Sequence, residues 1–213
     1  VETVEAGRRW FPMLETSLAE TRANTVHQGS TGVPGRTGAG VLVGIIDYGM
    51  DFTLDDFRKA DGTTRLAFLW DQRLDARPGE SAPDDFAYGV EYGADQIDQA
   101  LNASDPFSVV RHRPDPASHG THVAGILAAA TNNEIGMAST MFTGSILAVK
   151  CAQDGSETDE PGIQNGYDGI TYAAQIGYNN GMRTIINNSW GGSGYSSSEN
   201  SAINNAFNLY GAI

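Results

Sequence analysis

The chain has one cysteine in 213 residues, Cys151, which excludes an internal disulfide framework. Its neighbours, Leu147-Ala-Val-Lys-Cys-Ala152, read as a strand, so a packed thiol is favoured over a cysteine nucleophile. Cations are also scarce: 13 Lys and Arg face 26 Asp and Glu, a formal charge of −13. That balance argues against nucleic acid or an anionic membrane as partner. No apolar run approaches the roughly 18 residues that would span a bilayer. Nor does a basic-then-apolar leader precede Val1-Glu-Thr-Val-Glu5, although a removed leader is compatible with that beginning. Repeats and low-complexity tracts are absent as well. With 40% hydrophobic residues and 26 glycines, the composition suits a loop-rich α/β domain with a sizeable core.

What is present is organised around Ala117-Ser-His-Gly-Thr-His-Val-Ala-Gly-Ile-Leu-Ala-Ala-Ala130. Val123, Ile126, Leu127 and Ala130 recur at helical spacing and predict a buried face on a helix behind His119. Gly120 leaves room beside the imidazole. A histidine fixed by a core at its root and open at its tip suits a general base. The His119/His122 pair lacks the spacing and the intervening glutamate of a zinc helix.

Upstream, the turn-rich Gly29–Gly40 delivers the chain into Val41-Leu-Val-Gly-Ile-Ile46, a continuous apolar run typical of buried parallel strands. Asp47 closes that run, at the sheet edge where open α/β folds bind ligands, although a turn or helix-capping aspartate reads the same locally. A helix is expected near Leu14–Thr25, a strand at Arg65–Trp70, and a short helix at Ala94–Asn102. The acids Asp75, Glu80, Asp84, Asp85 and Glu91 read as a solvated excursion. Further on come a strand at Ser145–Cys151, a helix at Gly162–Asn180 stopped by Gly181, and a short buried strand at Thr184–Ile186. In that helix Tyr167, Ile170, Ala174 and Tyr178 share one side. Ser196-Ser-Ser-Glu199 matches a capping box opening a helix with Ala202, Ile203, Ala206, Phe207 and Tyr210 on its apolar side. Ala212-Ile213 looks like the first step of another strand. Alternating strands and helices predict an α/β, doubly wound, mostly parallel sheet flanked by helices.

Three blocks then fall in one order: Val43-Gly-Ile-Ile-Asp-Tyr-Gly-Met-Asp51, Ser118-His-Gly-Thr-His-Val-Ala-Gly125, and Asn187-Asn-Ser-Trp-Gly191. From roughly Gly38 to Ile213 the chain resembles the subtilisin-like serine peptidases (subtilases), and Phe57–Asp71 resembles larger bacterial members such as the clostridial germination proteases. The resemblance implies that Asp47 orients His119 and that His119 is the general base and then acid. It implies that Ser189, Trp190 and Gly191 form one substrate-binding edge and Asp154, Gly155 and Ser156 the opposing one, with a peptide or protein substrate between. Asp56 and Asn133 match positions that hold a structural Ca²⁺ in many subtilases; an ordinary turn reading stands beside it. No cofactor is implied for catalysis. A bacterial, secreted or cell-envelope location follows from the resemblance alone.

Departures from the pattern matter as much. The nucleophile block Gly-Thr-Ser-Met-Ala is absent, and Met137-Ala-Ser-Thr-Met141 is no substitute because it lacks Gly-Thr and comes too early. The oxyanion asparagine is absent too, and Tyr48 follows Asp47 where Ser or Thr is common. These features predict the amino-terminal portion of a catalytic domain, at 38–213, with an acidic insertion at about 72–116 and residues 1–37 as an extension, linker or propeptide tail. Its partner would be the carboxy-terminal remainder carrying the serine and the oxyanion asparagine, with a propeptide as a further partner. The competing expectation is a non-catalytic subtilase-like module that binds a peptide or a protein.

Overall fold

The computed structural model describes residues 22–114, 118–131, 139–152, 162–192, 194 and 196–213. The chain divides into two units, Val1–Arg36 and Thr37–Ile213. The described part of the first is a one-turn helix, α1 (Ala23–Gln28), followed by a two-residue antiparallel hairpin of β1 (Gly29–Ser30) and β2 (Val33–Pro34). The expected Leu14–Thr25 helix lies mostly outside the described residues.

The second unit is built on a five-stranded sheet of order β5-β4-β6-β3-β7. Its strands are β3 (Val41–Asp47), β4 (Leu66–Asp71), β5 (Val90–Gly93), β6 (Ser145–Lys150) and β7 (Arg183–Asn187). β3, β4, β6 and β7 run parallel, and β5 returns antiparallel beside β4. Between them lie α2 (Ala94–Leu101), α3 (Pro106–Val109), α4 (His119–Ala128), α5 (Gly166–Asn179) and α6 (Ser197–Tyr210).

The continuous apolar run in β3 reflects burial on both faces. Val43 and Ile45 join a core with α2 and α4, whereas Leu42 and Ile46 join a second core with α5 and α6. β6 divides likewise, Ile146 and Ala148 against Leu147 and Val149. Gly44 marks where α5 comes closest: a Cβ there would lie 2.9 Å from the Ala173 methyl. Chain order reverses at β3, because β4 and β6 add on one side and β7 on the other. The crevice outside its carboxyl end is therefore where ligands bind in such sheets.

Several expectations are corrected. Ile126 is exposed; α4 instead buries Gly120, Ala124, Gly125 and Ala128. Small residues let this helix lie close against the sheet, and the larger Val123 and Leu127 flank the seam. β7 is an edge strand whose Ile185 is exposed, with only Thr184 buried. On its free side Ile213 donates to Thr184 O (3.0 Å) and accepts from Ile186 N–H (2.8 Å), the bonding of a parallel strand. Tyr178 is exposed and meets Tyr210 edge-on at 5.7 Å. α5 begins at Gly166 rather than Gly162. In α6, Ser196 accepts from Glu199 N–H, half of the expected capping box, and Ile203 and Phe207 face outward.

The acidic excursion is not simply solvated. Glu91 accepts from Tyr172 O–H at 2.6 Å, and burial raises its pKa. Glu80 takes the Arg111 guanidinium in a fork, with Nε at 2.8 Å and Nη2 at 2.5 Å, and also accepts from Tyr92 O–H. Arg111 holds the Glu80 carboxyl down to about 2. A depressed carboxylate contributes stability above its unfolded value, near 4.5, and loses it as pH falls toward 2. Glu80→Gln should therefore destabilise by about 1 kcal/mol at pH 7, discounted for solvent screening. The melting-temperature gap to the native sequence should close as pH falls from 5 toward 2. A gap that stays constant over that window would show that the ion pair contributes nothing.

Candidate active site

Asp47 sits at the carboxyl end of β3 with its side chain 1% exposed, and its Oδ1 meets His119 Nδ1 at 2.8 Å. His119 is the first residue of α4, and its side chain is 38% exposed. One partner is locked and the other is open to solvent. Ser118 just before it adopts φ +59°, a left-handed conformation unusual for a residue with a Cβ. This turn, together with Gly120, lets the helix start meet the loop after Asp47. A Cβ at position 120 would collide with Gly49 O. Thr121 Oγ1 accepts from Asp51 N–H at 2.8 Å and ties the same loop to the helix.

Asp47 Oδ1 also accepts from Tyr48 N–H at 2.8 Å, while Oδ2 is buried without a hydrogen-bond partner. Buried carboxylate oxygens are rarely left so, and a catalytic role is one reason for an exception. The aspartate supports an imidazolium and fixes its tautomer, with Nδ1 carrying the proton toward the carboxylate. Tyr48 packs edge-on to the His119 ring, with centroids 5.8 Å apart.

The third sequence block reaches the same edge. Trp190 Nε1–H donates to Ile46 O at 2.7 Å, the carbonyl directly before Asp47. Its indole fills space at Gly166, where a Cβ would lie 2.6 Å from the ring. Ser189 is exposed and accepts from Asn187 Nδ2–H at 2.7 Å; Gly191 is exposed beside it. Tyr48, Tyr167, Trp190, Gly191 and Glu199 line an open cleft of about 400 Å³. Of these, Tyr167 and Glu199 were not legible as site residues, because helical spacing and a capping pattern explained them fully. Asp154, Gly155, Ser156 and Asn133 lie outside the described residues. Asp56 is half-buried, with Oδ1 buried and unpartnered, and its carbonyl accepts from Ala130 N–H. Cys151 is buried, and desolvation raises its pKa well above the ordinary thiol value. It is a packing residue.

In this mostly parallel sheet an aspartate closes the interior strand β3 and a histidine opens α4, and the family comparison agrees with that arrangement. The Subtilase family model matches residues 38–212, and the chain belongs to that family. It is 41% identical over 90 residues to thermitase from Thermoactinomyces vulgaris, covering 42% of this chain and 29% of that one. It is 34% identical over 147 residues to a thermophilic serine proteinase from Bacillus sp. (strain AK1), covering 68% and 34%. The chain thus spans about a third of the length of these curated relatives. Among solved structures, the CspB protease of Clostridium perfringens superposes with a TM-score of 0.68 at 27% identity, over 92% of this chain and 39% of that one. Sphericase shares the fold at a TM-score of 0.56 and 20% identity, over 89% and 49%.

Proposed function

We propose that the native polypeptide is a serine endopeptidase of the subtilisin-like type, to which this chain contributes the aspartate and the histidine. The Asp47–His119 contact, one buried partner and one open, carries the reading. His119 Nε2 would take the proton from a serine hydroxyl as it attacks the peptide carbonyl, then return it to the leaving amine. Asp47 would hold Nδ1–H and offset the imidazolium charge. Ser189–Gly191 would pair with an extended substrate backbone, and Asp154–Ser156 would supply the opposing edge. Trp190 and Tyr167 make the adjoining cleft aromatic, which favours apolar substrate side chains.

The serine and the oxyanion asparagine would come from sequence outside these 213 residues. Exposed Ile185, Phe207 and Ile213 around β7 and α6 are the surface that such a remainder would cover. A structural Ca²⁺ suits Asp56, whose buried Oδ1 has no partner, with Asn133 as a second oxygen ligand. It would tie the Asp56 turn to the end of α4 and take no part in the chemistry. The bacterial origin of the relatives supports a place outside the cytoplasm.

Fluorophosphonate labelling of the native polypeptide, followed by intact mass under denaturing conditions, tests this. A labelled chain carrying this sequence, or a labelled second chain isolated with it, is expected. A single unlabelled species would sink the peptidase reading and leave a peptide-binding module.

A further inference from the structure

A second aspartate and histidine meet at the same sheet edge. Asp71 closes β4 as Asp47 closes β3, and both are in register with Lys150 at the end of the intervening β6. Asp71 Oδ2 lies 2.8 Å from His112 Nδ1, matching the Asp47–His119 distance, but here the two side chains are 2% and 0% exposed. A sealed pair cannot meet substrate. Its other ring nitrogen shows what it does: His112 Nε2 lies 3.0 Å from Met50 O, in the loop that leaves Asp47.

The loop is pressed between two histidine-bearing segments. On one side His112 abuts Gly49, where a Cβ would come within 2.9 Å of Cε1, and Gly49 holds φ +113°. On the other, Gly49 O packs at Gly120 of the His119 helix, and Asp51 N–H bonds Thr121 Oγ1. Phe52, next in the loop, lies 6.5 Å from the His112 ring.

Proton counting gives the pair its character. Met50 O can only accept, so Nε2 carries a hydrogen; the short contact to a carboxylate requires one more proton between Nδ1 and Oδ2. Asp71 Oδ1 is meanwhile fixed by Arg73 N–H at 2.9 Å. Beside the pair, Lys150 from β6 donates its Nζ to Arg113 O at 2.7 Å, and Arg111, next to His112, is itself paired with Glu80.

The geometry points to His112, held by Asp71, as a positioning residue that fixes the Asp47 loop against the His119 helix. It acts through Met50 O and makes no contact with substrate. The role rests on the peptidase reading for its kinetic consequence, though not for its structural one.

Two substitutions separate the two bonds. In His112→Gln the amide nitrogen falls near Nε2 and keeps the donation to Met50 O; in His112→Asn it falls near Nδ1 and keeps only the Asp71 contact. In the native polypeptide, fluorophosphonate labelling per folded molecule and kcat should fall roughly ten- to a hundredfold in His112→Asn, with KM little changed. His112→Gln should stay within about threefold, and only His112→Asn should move the low-field Nδ1–H proton resonance of His119. Equal losses in both variants, or no shift of that resonance in His112→Asn, would overturn the assignment. An unmutated polypeptide that never labels would sink the peptidase reading, while the resonance still decides the positioning role. If neither variant folds, selective ¹⁵N-histidine labelling of the unmutated polypeptide decides: Nε2 of His112 must be protonated at neutral pH, and an unprotonated Nε2 overturns the clamp.

Discussion

On the proposed peptidase function, His119→Ala should lower kcat of the native polypeptide by about a millionfold, because members of a catalytic triad act as a unit and the remaining rate comes from binding and oxyanion stabilisation. Asp47→Asn should cost less, about 10⁴-fold as for loss of a triad aspartate, and the geometry says what is lost. Tyr48 N–H points at Oδ1, so an asparagine must put its oxygen there, since the amide would otherwise set donor against donor. That oxygen can still accept from His119 Nδ1–H, which keeps the tautomer and removes only the charge. The amide nitrogen then occupies the unpartnered Oδ2 position, at a cost in stability of about 1–3 kcal/mol. Both variants are to be compared on a chromogenic peptide, with near-ultraviolet circular dichroism confirming the fold. His119→Ala retaining activity within tenfold would remove the histidine from the mechanism. Equal losses in the two would mean that the Asp47 charge is as indispensable as the base it supports.

How legible the site was depends on how local its signals are. Asp47 announces itself because an acid directly ends an apolar run, and His119 because small residues follow it without a break. Asp71 carries the same signal as Asp47, closing Leu66–Trp70, yet it stood unremarked beside the acidic excursion. His112 had no signal at all. It lies in an irregular segment between α3 and α4, and only the fold brings it under Gly49 and Met50.

Periodicity located elements better than it located their partners. It placed α4, α5 and α6, but could not tell that Ile126 faces outward while Ala124 and Ala128 seat the helix. A methyl-sized contact carries little hydrophobic weight in a sequence window, yet it sets the closest approach of helix and sheet. Likewise, β7 reads as buried because Ile185 and Ile186 are apolar; its position at the sheet edge is a tertiary fact. Glu80 was hidden for a third reason, since its partner Arg111 is 31 residues away.

Arg65→Met should destabilise the folded domain by about 3 kcal/mol, with the urea midpoint falling by roughly 1 M at unchanged slope. Arg65 is buried just before β4 and pairs with no carboxylate among the described residues; its guanidinium serves carbonyls instead. Nη1 donates to Ala128 O at 2.5 Å, and Nη2 to Met141 O and Gly144 O at 3.0 Å each. Desolvation lowers its pKa, but a guanidinium remains charged. The charge is tolerable because Ala128 ends α4, where the helix dipole presents its negative end. Methionine fills similar volume and removes the desolvation cost, so the loss comes from orphaned acceptors. Met141 O keeps the Ser139 hydroxyl, whereas Ala128 O and Gly144 O lose the side-chain donor. Arg65→Lys should recover part of the loss, since an ammonium can reach one or two of the three carbonyls but cannot span the fork. A methionine variant as stable as the native sequence would mean that burying the charge costs as much as its bonds return. The consequence reaches the site, because α4 is one rigid element: its carboxyl end is held by Arg65 and its amino end carries His119. Freeing the first should loosen the second, and labelling per folded molecule should fall in Arg65→Met more than in Arg65→Lys.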